Sequence, residues 1–162
     1  MILRNQVEWA LHCCAVLAGL PQDRRLSTRT LAEFHGVPKE YLSKALQALS
    51  QAGIVSGTLG PAGGYRLARP ADDITFLDIV EAVEGRRSTF ACTNIRFNNP
   101  CRQPCADDGT KACSVARIMW QADEAWRDSL RGITLAAHAA ILAKDLSPEV
   151  LERNRQWLLS RG

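Results

Sequence analysis

The most constraining feature of the sequence is a pair of short helical segments followed at once by a glycine-rich hairpin. Ser27 can cap a first helix that ends at Gly36, and Pro38 opens a second helical run. The next residues, IVSGTLGPAGGYRLAR, predict two strands, 54–58 and 65–69, around a tip of glycine and proline. Two helices joined by a tight turn and followed by a hairpin predict a winged helix-turn-helix, a fold that contacts DNA.

The rest of the chain is predicted to be helical. Apolar residues recur at helical spacing over 3–18, and Gly19 ends that first helix. Thr75 precedes another helix, with Asp78 three residues later as in a capping box. The predicted fold class is therefore mainly α, a winged helix-turn-helix with a small two-stranded wing and a long C-terminal dimerisation helix. We expect a winged-helix DNA-binding domain over 1–85, a cysteine-rich loop over 86–113, and the dimerisation helix with the C-terminal helices over 114–162.

The long helix predicted from residue 114 carries the signal for a second subunit. Its apolar residues recur at a spacing of three and four, which produces a packing seam. Trp120 and Trp126 are large apolar side chains that favour burial over exposure to water. A matching helix of a second copy would cover them, so we expect a homodimer.

Charge and hydropathy narrow the function classes. No apolar run approaches the roughly 18 residues needed to cross a bilayer, and Glu8 interrupts the region where a signal peptide would be apolar. We therefore expect a cytoplasmic protein without a membrane partner. The net charge of +3 favours nucleic acid only weakly. Phosphate-binding loops, nucleophile elbows and metalloprotease motifs are absent from the sequence, so we expect neither an enzyme nor a small-molecule substrate.

The second helix of the helix-turn-helix predicts a DNA-reading face. Its leucines fall on one side and turn polar residues to the other. Hydroxyl and amide groups can bond base edges, whereas Lys and Arg suit phosphates or guanine. A solvated helix face is the simpler interpretation of such residues taken singly, but the motif order favours DNA. The candidate DNA-binding residues are Arg29, Lys39, Ser43, Lys44, Gln47 and Arg66.

Four of the six cysteines stand close together, with the spacing Cys92-x8-Cys101-x3-Cys105-x7-Cys113. A reducing cytosol favours metal or redox chemistry over a disulfide framework for such a group. Structural zinc sites prefer two short cysteine pairs, and this segment has only one. Iron-sulfur clusters tolerate wider spacing. An iron-sulfur cluster, a zinc site and a thiol switch all remain open on spacing alone.

A second group of candidate ligands lies on the first helix. Glu8 and His12 are four residues apart, so their side chains share one face and can hold one metal ion or one iron of a cluster. A plain surface Glu-His pair is the alternative. Cys13 and Cys14 are expected in the core, since free cysteine packs as a small apolar residue.

The order of these elements resembles the winged-helix iron-sulfur transcription regulators of bacteria, which include IscR-type, NsrR-type and RsrR-type members. The resemblance lies in YLSKALQALSQAGIV, in GPAGGYRLARPADDITFLDIVEAVEG, and in the cysteine loop followed by VARIMW. VEWALHCC is similar to the opening helix of the RsrR-type redox sensors. The resemblance implies a redox-sensing homodimer that binds palindromic DNA under the control of a [2Fe-2S] cluster. Leu59 departs from the family, whose members commonly carry Arg there.

In the RsrR type, the resemblance implies a cluster that bridges the dimer, with Glu and His from one subunit and two Cys from the other. Glu8 and His12 match the first pair. Trp9 is then a candidate redox relay, which would change rotamer with the state of the cluster, although plain packing of its ring is the alternative. His35 could approach the same region, or form an ordinary hydrogen bond in its turn.

The cysteine ligands are less well determined, because the usual family pattern is three cysteines in this loop and the sequence has four. Cys113 matches the last of them, directly before SVAR. Cys105 is the expected partner by spacing, with Cys101 as its rival and Cys92 also open. The alternative function is a zinc- or thiol-stabilised dimeric module for binding DNA or protein, without a cluster.

Overall fold

The computed structural model describes residues 3–60, 63–98, 100–101 and 112–161. Within that part of the chain the protein is mainly helical, with one small antiparallel sheet. In chain order the elements are α1 (Asn5–Ala18), α2 (Thr28–His35), α3 (Lys39–Gln51), β1 (Val55–Thr58), β2 (Gly64–Leu67), α4 (Phe76–Glu84), α5 (Ser114–Arg131), α6 (Leu135–Asp145) and α7 (Pro148–Leu159), with 3₁₀ turns at Ala71–Asp73 and Ile95–Asn98.

The predicted helix ends are confirmed by local hydrogen bonds. The Ser27 hydroxyl accepts the amide N–H of Thr30 at the start of α2. Gly36 ends that helix at φ +64°, a left-handed conformation that suits glycine. Thr75 and Asp78 form the full capping box before α4. Because each contact spans only a few residues, the sequence alone was enough to place it.

The wing is shorter than the sequence predicts. β1 and β2 pair from Val55↔Leu67 to Thr58↔Gly64, so the predicted strands 54–58 and 65–69 are wrong by one or two residues at their ends. Pro70 and the 3₁₀ turn behind it draw the chain away from the sheet, because proline offers no N–H to a ladder. β2 gains another neighbour instead, through an isolated bridge between Leu26 and Tyr65.

One apolar core joins the two ends of the chain. Leu31, Leu42 and Leu46 are fully buried, and Leu135 of α6 and Leu158 of α7 belong to the same cluster. The α6 start is attached by the Leu135 N–H, which donates to the carbonyl of Ile74 at 2.9 Å. Cys13 and Cys14 are buried there too, as predicted, and burial raises the pKa of the Cys13 thiol to about 12.

The last helix returns to the helix-turn-helix. The rings of Trp157 and Phe34 pack at 5.5 Å, and the Arg161 guanidinium lies 3.0 Å from the Glu33 carboxylate on α2. The side chain of Arg24 donates to the carbonyl of Leu159 at 2.7 Å. The C-terminal helices therefore form one body with α1 and α2.

α5 packs against α4 and leaves an apolar face exposed to solvent. Ile118 is 64% exposed, and Val115 and Met119 are exposed on the same side of the helix. Trp120 is 43% exposed on a different side. Trp126, by contrast, is half-buried beside Val80 and Arg127. A soluble chain that leaves neighbouring large apolar residues exposed on one helix has a surface suited to a partner.

The cysteine segment differs from the expectation that it holds no regular structure, because a 3₁₀ turn forms at Ile95–Asn98. Cys92 precedes that turn and Cys113 directly precedes α5. Cys105 lies outside the described residues. Across the helices of the described part of the chain, none is both long and apolar enough to cross a membrane.

Candidate DNA interface and metal centre

A groove of about 570 Å³ opens between α2, α3 and the wing. It contains three of the candidate DNA-binding residues, Arg29, Lys39 and Gln47, and Leu59 stands fully exposed at its wing side. The helix-turn-helix and the hairpin therefore face the same open space. A groove lined by two basic side chains and an amide can receive a phosphate backbone and a base edge together.

The outer face of α3 agrees with the sequence prediction. Leu42, Leu46 and Leu49 are fully buried on one side of the helix, as its 3.6-residue period requires. The opposite side is left in solvent, where the side chains can reach a DNA groove. Lys39, Lys44 and Gln47 are exposed there, and Ser43 is half-buried.

Sequence reasoning missed Tyr41 on this face. The ring is exposed, and the Lys44 ammonium lies 5.9 Å from its centroid, within cation–π range. Tyr41 stands three residues before Lys44, so the helical spacing was the available signal. Its ring helps to hold Lys44 on the outer face of α3, the candidate DNA-binding face.

The arginine candidates already have partners within the chain. The Arg29 guanidinium lies 2.8 Å from the Glu33 carboxylate but remains largely exposed. Arg66 donates to the Ser56 hydroxyl at 3.4 Å and to the carbonyl of Gln22 at 3.3 Å. Arg29 can therefore release its weak, exposed ion pair with Glu33 and bind a phosphate instead. Arg66 stabilises the wing through its hydrogen bonds to Ser56 and Gln22.

Two loop cysteines come together at the start of α5. The Sγ atoms of Cys92 and Cys113 are 3.8 Å apart. Cys113 is also the N-cap of α5, where its Sγ accepts the amide N–H of Ala116 at 3.3 Å. That amide lowers the pKa of the Cys113 thiol below its ordinary value, and the Cys92 thiol and the Arg96 guanidinium act in the same direction.

The distance between these sulfur atoms suits a metal. Two thiolates bound at about 2.3 Å to one tetrahedral metal ion lie about 3.8 Å apart, and the observed separation is 3.8 Å. A helix N-terminus favours a thiolate over a thiol, which is the form that binds metal. Cys92 and Cys113 therefore fit one iron of a cluster, and they fit zinc equally well.

The other candidate ligands lie on α1. Glu8 and His12 are exposed and line a groove of about 290 Å³ together with Arg4, Phe76 and His138. Both side chains are open to a partner from outside the chain. Trp9, the residue after Glu8, is half-buried and packs against the core.

His35 is close to this pair. Its ring centroid lies 5.8 Å from that of His12 and 5.0 Å from that of Phe34. Burial lowers the pKa of the His35 imidazole, and His12 adds to the effect. Its Nε2 is buried without a hydrogen-bond partner among the described residues. The expected hydrogen bond in the turn is therefore not made by this nitrogen.

The structure thus places the candidate ligands in two separate pairs, Glu8 with His12 on α1 and Cys92 with Cys113 at the start of α5. Over the described ranges, no three His, Cys, Asp or Glu side chains gather as a metal site. Cys101 is exposed, and Cys105 is not among the residues described. Each pair of residues supplies two donor atoms, which is the number that one iron of a [2Fe-2S] cluster takes from the protein.

Comparison with known proteins shows the family. The model of the Rrf2 family, an iron-dependent transcriptional regulator, matches residues 3–140. A predicted helix-turn-helix-type transcriptional regulator of Aquifex aeolicus is 40% identical over 148 residues, covering 91% of this chain and 98% of that protein. The solved structure of T. potens IscR is similar with a TM-score of 0.67 at 22% identity, over 91% of this chain and 92% of its own. CymR, the global cysteine regulator of B. subtilis, has a TM-score of 0.65 at 22% identity, over 87% of this chain and 98% of its own.

The solved structures confirm the predicted fold, a mainly α protein with a two-stranded wing. The relatives are transcriptional regulators, which confirms the prediction that this protein is not an enzyme. The relatives' class agrees with a protein that binds DNA, and the groove between α3 and the wing is the candidate surface for it. The chain belongs to the Rrf2 family of iron-dependent, DNA-binding transcriptional regulators.

Proposed function

We propose that this protein is a redox-sensing transcription regulator that binds palindromic DNA as a homodimer under the control of a [2Fe-2S] cluster. The observation that carries the proposal is the 3.8 Å separation of the Cys92 and Cys113 sulfur atoms at the start of α5. A separation of this size suits two ligands of one iron. The exposed Glu8-His12 pair offers two donor atoms for the second iron of the cluster.

The ligands in this proposal are Glu8 and His12 of one subunit with Cys113 and Cys92 of the other. The sequence favours Cys105 as the partner of Cys113, and the thiol contact supports Cys92 instead. Cys105 stays a candidate. When bound, a [2Fe-2S] cluster supplies a one-electron centre, and an imidazole and a carboxylate in place of two thiolates favour its reduction.

The homodimer is supported by the exposed face of α5. Val115, Ile118 and Met119 are exposed apolar residues at the spacing of one helix face, and a second copy of α5 would cover that face. A two-fold dimer places two helix-turn-helix units on opposite half-sites, so the operator should be close to palindromic.

The path from the cluster to DNA would run through α1. This helix carries Glu8 and His12 on its exposed side and packs with its buried side against α3 and α4. Trp9 joins the two sides, because its ring touches the core directly beside Glu8. A change of rotamer at Trp9 would then shift α1 against the DNA-reading helix.

Anaerobic purification tests the proposal. We expect a coloured protein with about two irons and two acid-labile sulfides per chain. Its affinity for the operator should change about a hundredfold on reduction with dithionite, a coupling of about 3 kcal/mol. Protein isolated without iron or labile sulfide would contradict the cluster and leave a DNA-binding regulator.

The same sulfur contact favours a second candidate function, a zinc- or thiol-based regulator. One of the structurally similar chains is an oxidized form of Staphylococcus aureus CymR, which is 22% identical to this protein. Cys92 and Cys113 could form a disulfide with a modest movement, or share zinc. Colourless protein with about one zinc per chain, and DNA binding indifferent to dithionite, would favour this candidate.

Two substitutions on α3 should separate phosphate contacts from base contacts. Lys44→Ala should weaken DNA binding evenly across sequences and reduce the salt slope of log K by about 1, because one phosphate contact is lost. Gln47→Ala should relax base preference at one operator position by about 1–3 kcal/mol. Binding titrations at several salt concentrations measure both effects. Lys144→Ala, at the far end of α6, is the charge-matched control and should change neither quantity.

A further inference from the structure

A half-buried arginine joins the cysteine segment to two helices. Arg127 on α5 is 13% exposed, and its Nη1 lies 2.7 Å from the Glu81 carboxylate on α4. Its Nε lies 3.3 Å from the Asp123 carboxylate on α5. Its Nη2 donates to the main-chain carbonyl of Arg87 at 2.6 Å. One side chain therefore contacts α4, α5 and the start of the segment that leads to Cys92.

The same segment also affects the charge of Asp123 on α5. Burial would raise the pKa of the Asp123 carboxyl, but hydrogen bonding from Thr89 and Arg127 outweighs it and holds the pKa below its ordinary value. Thr89 is only three residues before Cys92. The hydrogen bond that attaches the segment to α5 is therefore the one from Arg127 to the carbonyl of Arg87.

Chain lengths show why this attachment matters for the thiols. Arg127 lies about 21 Å along α5 from Cys113 at the helical rise per residue. The stretch from Arg87 to Cys92 can reach at most about 17 Å when extended. Cys92 comes only five residues after Arg87, so the point at which Arg127 holds the carbonyl of Arg87 limits where the Cys92 thiol can lie relative to Cys113.

We propose that Arg127 is the positioning residue for Cys92, holding the start of the cysteine segment on α5 so that the Cys92 thiol stays beside Cys113. Through Glu81 the same guanidinium ties this arrangement to α4, which belongs to the winged-helix module. The inference extends the proposed function by naming what positions a ligand of its site, but the claim itself concerns two thiols and needs no metal.

Loss of Arg127 should release the segment. Glu81 and Asp123 would be left facing each other without the cation between them, and the carbonyl of Arg87 would lose its donor. Arg86 still lies 2.6 Å from Glu81, but it is largely exposed and comes from the segment itself. It cannot replace a contact that α5 supplies.

The test measures closure of a disulfide between Cys92 and Cys113 in the full-length, metal-free chain. Cys101→Ser and Cys105→Ser remove the other loop thiols, and Cys13 and Cys14 are buried. Diamide accepts the two electrons and two protons released as the sulfur–sulfur bond forms. Arg127→Gln should slow closure about tenfold, because the thiols lose their orientation. Peptide mass spectrometry over time gives the rate.

Arg131→Gln is the matched control, since Arg131 is one turn further along α5 and forms its ion pairs with Asp128 and Glu124 of its own helix. In Arg131→Gln the Cys92–Cys113 disulfide should form at the same rate as in the chain without this substitution. An equal rate in Arg127→Gln would overturn the proposal. Arg127→Lys, which keeps a positive charge beside Glu81 but loses the guanidinium fork that also reaches the carbonyl of Arg87, should likewise slow closure and decides the question if Arg127→Gln proves unfolded by circular dichroism.

A second readout uses the protein as isolated. The Arg127→Gln protein should lose its iron to a chelator at least about tenfold faster than the Arg131→Gln protein, because the residue that positions the ligand Cys92 is removed. If wild-type protein holds no iron, the proposed function fails while the disulfide rates still decide the role of Arg127. If iron is present and closure rates are equal, only the positioning role fails.

Discussion

Cys113→Ser should remove iron from the purified protein almost completely while leaving its fold intact. Serine is a favoured N-cap, so its hydroxyl can replace the sulfur that accepts the Ala116 N–H at the start of α5. The hydroxyl is a poor metal ligand, however, and the Cys92 thiol would lose its partner at 3.8 Å. Iron and sulfide analysis measures the loss, and thermal unfolding checks the fold.

Two comparisons sharpen this prediction. Cys113→Ala removes the cap as well as the ligand, so it should cost about 1 kcal/mol more stability than Cys113→Ser. Cys101→Ser is the comparison for another loop thiol, and it should keep its iron if Cys92 and Cys113 are the cysteine ligands. Wild-type iron content in Cys113→Ser would exclude Cys113 as a ligand.

The same variant can show whether the site is shared between subunits. Glu8→Ala and Cys113→Ser should each lack iron as separate homodimers. After the two are unfolded together and refolded, half of the dimers are mixed, and each mixed dimer has one complete site if the ligands come from both subunits. About a quarter of the wild-type iron should then return on reconstitution. No recovery would place all ligands within one chain.

Gly64→Ala should destabilise the protein by about 3 kcal/mol, because the substitution combines backbone strain with overpacking. Gly64 opens β2 at φ +154°, and a Cβ there would meet the carbonyl oxygen of Leu26 at 2.6 Å. The neighbouring Tyr65 N–H donates to that same carbonyl at 2.8 Å. The side chain would therefore separate the wing from the strand-like segment before α2, and DNA binding should weaken with it.

Urea unfolding measures this effect, with Gly19→Ala as the control. Gly19 has φ −82° at the end of α1, and a Cβ there would make only ordinary contacts, 3.6 Å or more from its neighbours. The free energy of unfolding of the Gly19→Ala protein should stay within about 0.5 kcal/mol of wild type. A Gly64→Ala protein as stable as Gly19→Ala would show that the wing adjusts without cost.

The winged helix and most helix ends could be predicted from sequence because the interactions that set them are local. The Thr75–Asp78 box, the Ser27 cap and the left-handed Gly36 each involve residues at most four apart. The buried side of α3 followed from its apolar period in the same way. The ends of the strands were wrong because they depend on a turn and on a bridge to Leu26, far away in the chain.

The candidate site was predicted less completely, for a related reason. Glu8 and His12 could be paired by spacing on one helix, whereas the partner of Cys113 could not. Cys92 and Cys113 are brought together by the path of the chain between α4 and α5, where Arg127 bonds both Glu81 and the carbonyl of Arg87. Nothing in the spacing of the cysteines encodes that path.

The sequence by itself determined which segments become helices and strands, which of their faces are buried, and which residue types are available as ligands, because these properties arise from neighbours along the chain. Only the tertiary structure decided that Cys92 is beside Cys113, that the last helix returns to Phe34 and Glu33, and that α5 keeps an apolar face in solvent. These features depend on distant residues meeting in one packed core, and such meetings have no local pattern from which they can be predicted.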